Sequence, residues 1–218
     1  MTIPPTTRPE FSFSRRRSWA ADQAVGFMMQ QAVENPDVIS LAAGLVDPAT
    51  LPVELTREAV EVLLGDSRQG QAALQYGTTA GSERLRDVLV EYLARLEGVA
   101  VDQLGITRDQ LVLTSGSQQL LSILGEVLLD PGDICLVGGP SYFVFLGTLE
   151  GLGVRAVSIP SDHGGICLDA FEETLKTLRR RGDLPRVKMV YVVSYFDNPC
   201  GVSLEESRRE ALLKLVEQ

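Results

Sequence analysis

Residues 111–133 read LVLTSGSQQLLSILGEVLLDPGD, and the parsing of this stretch decides the fold. Leu111-Val112-Leu113 is a short apolar run with the look of a strand. It breaks at Thr114-Ser115-Gly116-Ser117, and from Gln118 to about Leu129 the apolar residues recur at helical spacing until Asp130-Pro131-Gly132 stops them. A strand that turns through small residues straight into a helix leaves backbone N–H groups with no intrahelical partner. With the helix dipole behind them, those donors make a seat for a phosphate. The same residues, Ser115-x-x-Gln118, also fit a capping box that satisfies the helix's own end and binds nothing. On this segment alone the capping box ranks first, because such boxes are common.

Working outward, the chain alternates. A helix is expected from Trp19 to about Val33, a short extended run at Val38–Leu41, and a helix from Val53 to Leu64. Gly65–Gly70 reads as polar linker. Ser82 to Leu96 carries apolar residues at 85, 88, 89, 92, 93 and 96, a helical period. After the deciding stretch come strands at 134–137, 154–159 and 187–193, with helices at 142–152, 168–180 and 204–216 between and after them. Strands alternating with helices of this length predict an α/β fold with a mainly parallel sheet and helical crossovers. Ligands of such sheets collect outside the carboxyl ends of the strands. There the chain offers three loops of small and polar residues: SGSQ, GGPSY and SYFDNPCG. Neither GxGxxG nor GxxxxGK[ST] occurs, so both common nucleotide-phosphate loops are excluded.

Composition narrows the function classes. Of 218 residues 44% are hydrophobic and 22% charged, as in an ordinary globular protein. A net charge of −9 argues against electrostatic capture by nucleic acid or anionic lipid. The three cysteines (135, 167 and 200) are odd in number and far apart, which suits a cytoplasmic protein better than a disulfide scaffold. His163 is the only histidine and lies in the polar loop Ser161–Gly165, so it reads as a solvated residue and no metal site is expected.

Five pieces in order, ISLAAGLVDPATLP, LQYGTTAGSERLRDVL, LTSGSQQLL, GGPSY and SYFDNPCG, resemble the fold-type I pyridoxal-phosphate aminotransferases. The nearest group is the 2-aminoadipate aminotransferase-like branch of class I/II. The resemblance implies that Gly116, Ser117 and Gln118 hold the cofactor phosphate and that Tyr142 lies against the pyridine ring. It implies that Asn198 bonds the cofactor's phenolic oxygen and that Tyr76 reaches the phosphate in the partner subunit of a homodimer. It also implies that Gly44 offers backbone to the substrate carboxylate. Taken singly, Tyr142 reads as a half-buried core tyrosine and Asn198-Pro199 as a turn. The family usually has Thr where Cys200 stands. The implied domains are 1–50, an N-terminal arm and helix belonging to the small domain, and 51–218, the N-terminal portion of the cofactor-binding large domain.

The family's chemistry also needs a carboxylate on the pyridine nitrogen and a lysine that bonds the cofactor covalently. The resemblance places both beyond Gln218, so no catalytic residue is assigned within the chain. The lysines present, Lys176, Lys188 and Lys214, fall on helices or at the wrong end of a strand. The expectation is therefore a portion of an aminotransferase acting on amino acids and 2-oxo acids, inactive by itself. The alternative is an aminotransferase-like domain that senses the cofactor or binds without catalysis, as in a regulator.

Overall fold

The computed structural model describes residues 12–19, 24–35, 37–39 and 46–217. Gly44 and the end of the Val38–Leu41 run lie outside the described residues. The chain divides into two compact units, one of residues 45–119 and one of residues 1–44 with 120–218.

Two helices, α1 (Arg16–Trp19) and α2 (Ala24–Glu34), come first. The 45–119 unit is helical: α3 (Val53–Gly65), α4 (Ser67–Leu74) and α5 (Glu83–Glu97). The stretch read as polar linker starts α4 instead. Asp66 is its N-cap, and the side chain accepts from the Gln69 N–H at 2.8 Å. A cap that satisfies a first-turn N–H outweighs the polar composition that suggested a linker. Ser82 caps α5 in the same way, and Gly98 closes it at φ 67°, a left-handed angle suited to glycine. Leu111–Leu113 is extended but forms no strand. Its Leu113 N–H reaches Ala80 O at 3.0 Å, and no ladder follows. Gly81, at φ 90°, faces Leu113 so closely that a Cβ there would stand 2.7 Å from its side chain.

The second unit holds the sheet. After α6 (Gly116–Leu128) come β1 (Ile134–Gly139), α7 (Phe143–Gly151), β2 (Arg155–Asp162), β3 (Gly165–Ile166), α8 (Leu168–Arg180), β4 (Val187–Tyr191) and α9 (Glu206–Val216). The order across the sheet is β3-β2-β1-β4. β1 runs parallel to both β2 and β4, and only the short β3 is antiparallel. The alternation in sequence thus produced the mainly parallel sheet it predicted.

Strand β1 explains the layering. Ile134 and Leu136 enter one core cluster with Phe171, Leu178 and Leu212. Cys135 and Val137 point the other way, into a second cluster with Phe145, Leu149 and Leu129. Successive side chains on a strand face opposite sides, so a continuous apolar run must be covered on both faces. Here α8 and α9 cover one face and α7 the other. Helix α8 shows how: Phe171 and Leu178 are buried two turns apart, and Asp169 and Arg179–Arg180 suit its dipole. Among the described residues, no helix is long and apolar enough to cross a membrane.

Candidate cofactor site

The three loops expected to carry chemistry fall where the strands and helices put them. Gly116 opens α6 at φ 76°, and apart from its chain neighbours and its own helix's backbone no described atom lies within 4 Å of where its Cβ would stand. Ser115 and Ser117 are exposed beside it. The reciprocal half of the expected capping box comes from the next residue: the Ser115 N–H donates to Gln119 Oε1, not to Gln118. Thr114 Oγ1 donates to Gly116 O at 3.1 Å and tightens the same turn. A helix start built from small, exposed residues gives an anion access to first-turn N–H groups that have no intrahelical partner. Gly116, Ser117 and Gln118 belong to the 45–119 unit, as does Tyr76, whose side chain is 98% exposed.

Tyr142 and Asn198 belong to the other unit, and the sheet brings them to the same end. Tyr142 follows β1 as the N-cap residue of α7 and is half-buried against the second core cluster. Asn198 follows β4, the parallel neighbour of β1, and is exposed on its loop. Both peptide bonds leading into the prolines here, Gly139–Pro140 and Asn198–Pro199, are cis. The two loops flank a cavity of about 180 Å³ whose lining includes Ser141, Ser161, Asp162, Asp197 and Cys200. Burial pushes the Asp197 carboxyl above its ordinary range, and the Asn198 N–H partly offsets this. Burial likewise raises the phenol of Tyr191, at the end of β4, with Asp197 adding to it.

Two interactions that no local pattern announces brace this end. Arg208 of α9 forms paired contacts with Asp162 at 2.7 and 3.1 Å and donates to Gly165 O and Ile166 O. That fastens the β2–β3 hairpin to the last helix. Arg208 holds the Asp162 carboxyl well below the usual carboxylate range, helped by the Gly164 N–H at 2.8 Å. The linkage has a definite sign. A carboxylate whose folded value is depressed contributes stability above its unfolded value, near 4, and that stability is lost as pH falls through the folded value. Urea midpoints measured between about pH 2 and pH 6 should therefore fall more steeply on acidification for the wild type than for Asp162→Asn. Parallel curves would mean the pair contributes nothing.

The cysteines divide by environment. Burial pushes the Cys135 thiol up to about 12, which leaves it inert as a nucleophile. Cys200 is exposed in the Asn198 loop. His163 is exposed in the β2–β3 turn, as expected of a solvated residue. Among the described residues no group of three His, Cys, Asp or Glu could hold a metal.

Against known proteins, the family model "Aminotransferase class I and II" matches residues 36–218. The chain belongs to the aminotransferase class I and II family. It is 40% identical over 186 residues to aromatic-amino-acid aminotransferase 1 of Thermococcus litoralis, covering 85% of this chain and 42% of that protein. It is 32% identical over 183 residues to the 2-aminoadipate transaminase of Thermus thermophilus, covering 84% and 41%. Its structure is similar to that of a kynurenine aminotransferase from Pyrococcus horikoshii, solved with PMP, at a TM-score of 0.75 and 36% identity, covering 95% and 46%. The chain thus spans less than half the length of each.

Pyridoxal phosphate is the cofactor this aminotransferase family implies, and each unit by itself carries groups of a kind that suits one part of it. An open helix start suits the phosphate, an aromatic face suits the ring, and an exposed amide suits a phenolic oxygen. Arg208 and Asp162, which brace the sheet end, were not legible beforehand. They lie 46 residues apart and share no motif.

Proposed function

We propose that this chain is the N-terminal portion of a pyridoxal-phosphate-dependent aminotransferase that moves an amino group between amino acids and 2-oxo acids. The observation that supports it most directly is the arrival of Tyr142 and Asn198 at the carboxyl ends of adjacent parallel strands in a member of this family. When bound, the cofactor supplies an electron sink that makes the substrate's α-carbon proton labile.

The chain's own residues bind and orient. Gly116, Ser117 and Gln118 hold the phosphate with the first-turn N–H groups of α6. Tyr142 presents its ring to the pyridine and excludes water from one side. Asn198 donates its side-chain N–H to the phenolic oxygen, which sets the ring's rotation. Tyr76 extends to the phosphate held by the partner subunit of a cytoplasmic homodimer, and Gly44 offers backbone to the substrate carboxylate. Residues 51–218 then form the N-terminal portion of the cofactor-binding domain and residues 1–50 part of the smaller one.

These 218 residues carry out no transfer by themselves. Lys176 and Lys214 are exposed on helices, and Lys188 lies at the start of β4, opposite the end where the loops gather.

Titrating the purified chain with pyridoxal phosphate, followed by absorbance, tests the reading. Binding is expected without transamination of any amino acid and 2-oxo acid pair. Asn198→Ala should weaken binding about tenfold to a hundredfold, the equivalent of one hydrogen bond to a charged oxygen. Turnover by the chain alone, or an Asn198→Ala variant that binds as tightly as wild type, would overturn the proposal.

A further inference from the structure

The loop that carries Asn198 is closed on itself in two rungs. Leu204 N–H donates to Ser194 O at 2.9 Å at the base, and Asp197 N–H donates to Val202 O at 2.8 Å nearer the tip. Between the rungs, Phe196 N–H donates to Ser203 Oγ at 3.2 Å. Phe196 itself sits at φ 49°, a left-handed backbone angle that residues other than Gly, Asn and Asp seldom adopt. Asn198 stands at the tip, exposed. These rungs fix the shape of the loop, and something else must fix its direction.

One side chain grips both legs. Arg209 of α9 donates from Nε to Leu204 O at 2.9 Å on the returning leg. On the outgoing leg it donates from Nη1 to the Tyr195 hydroxyl at 2.7 Å, and its guanidinium lies 4.4 Å from that ring's centroid. We infer that Arg209 is the positioning residue of the cofactor loop: its contacts with Tyr195 and Leu204 hold the Asn198 tip in place. The inference rests on the reading of Asn198 given above. The contacts demand a planar fork, because one group must donate along two directions while its face covers an aromatic ring. Lysine keeps the charge but has neither the fork nor the face. Arg208, the preceding residue, fastens the neighbouring β2–β3 hairpin, so the first turns of α9 set both loops at this end of the sheet.

The test uses the full 218-residue chain as wild type, Arg209→Lys, Asn198→Ala and the double variant. Amide hydrogen exchange is read at Asp197, Gly201 and Leu204, with β1 amides as the measure of global folding. Pyridoxal phosphate affinity is read by absorbance. Arg209→Lys should speed exchange of the loop amides about tenfold and leave β1 unchanged. It should weaken the cofactor about tenfold in the wild-type background and not at all in Asn198→Ala, since the brace acts through that side chain.

Unchanged loop exchange in Arg209→Lys overturns the inference whether or not the cofactor binds. A loss of affinity of equal size in both backgrounds overturns it as well, because Arg209 would then act elsewhere. If wild type does not bind the cofactor, the proposed function fails while exchange still decides the brace. Should Arg209→Lys also loosen β1, Tyr195→Phe replaces it. That variant removes only the phenolic acceptor, and loop amides no faster than wild type would overturn the inference.

Discussion

Phe145→Ala is expected to destabilise the sheet-containing unit by roughly 3–5 kcal/mol, the range for emptying a buried aromatic position. Phe145 is fully buried, and its ring lies 4.6 Å from that of Tyr191, tilted by 49°. It packs with Leu149, Leu129, Leu152 and Val154 and with the inward side chains of β1, Cys135 and Val137. Cys135 and Val137 are held by β1 and Leu149 by α7, while Leu129, Leu152 and Val154 sit in the turns that join these elements, so the space vacated by the ring closes only in part. Equilibrium unfolding in urea measures the loss. Phe196→Ala, at a residue 80% exposed, serves as comparison and should change stability by less than about 1 kcal/mol. A loss below about 1 kcal/mol for Phe145→Ala itself would show that the cluster does not depend on the ring. Function should follow stability, because Tyr142 caps the helix that Phe145 anchors.

The second large effect concerns two glycines with similar backbone angles and different surroundings. Gly165 has φ 96° and Gly182 has φ 75°. Alanine at either position carries the cost of a left-handed residue, about 1–2 kcal/mol. Around Gly182 nothing lies within 4 Å of an added Cβ. At Gly165 the same atom would stand 3.1 Å from the Leu204 Cα and 2.7 Å from its Cδ1. Leu204 is itself buried, at 3% exposure, and its backbone carries both the Ser194 rung and the Arg209 contact. It cannot retreat without loosening the Asn198 loop. Gly165→Ala should therefore cost about 1–3 kcal/mol more than Gly182→Ala, the usual penalty of overpacking. It should also weaken pyridoxal phosphate binding, which Gly182→Ala leaves intact. Equal losses in the two variants would mean that the hairpin shifts freely away from Leu204.

Element order and type were largely legible from residues 111–216, because helix and strand periods are local properties of the chain. The apolar run at 134–137 became the strand buried on both faces, and the 168–180 periodicity became α8 at those same residues. Two readings were wrong for physical reasons. Leu111–Leu113 has strand composition, but a strand needs a partner to form a ladder, and beside the local turn bond of Leu111 to Arg108 it has one backbone bond to another segment, from Leu113 to Ala80. Gly65–Gly70 has linker composition, yet Asp66 supplies the cap that starts a helix within it. The motifs SGSQ, GGPSY and SYFDNPCG pointed to a cofactor from spacing and resemblance alone.

What the sequence determined by itself was the α/β class, the family and the loops worth watching, since each depends on neighbours along the chain. Only the tertiary structure decided that β4 pairs beside β1, and so that Tyr142 and Asn198 share one end of the sheet. It alone decided that Arg208 and Arg209 brace that end, 46 residues from Asp162 and 14 from Tyr195. Such contacts form when a chain reverses and packs, and side chains so far apart carry no mark of one another until it does.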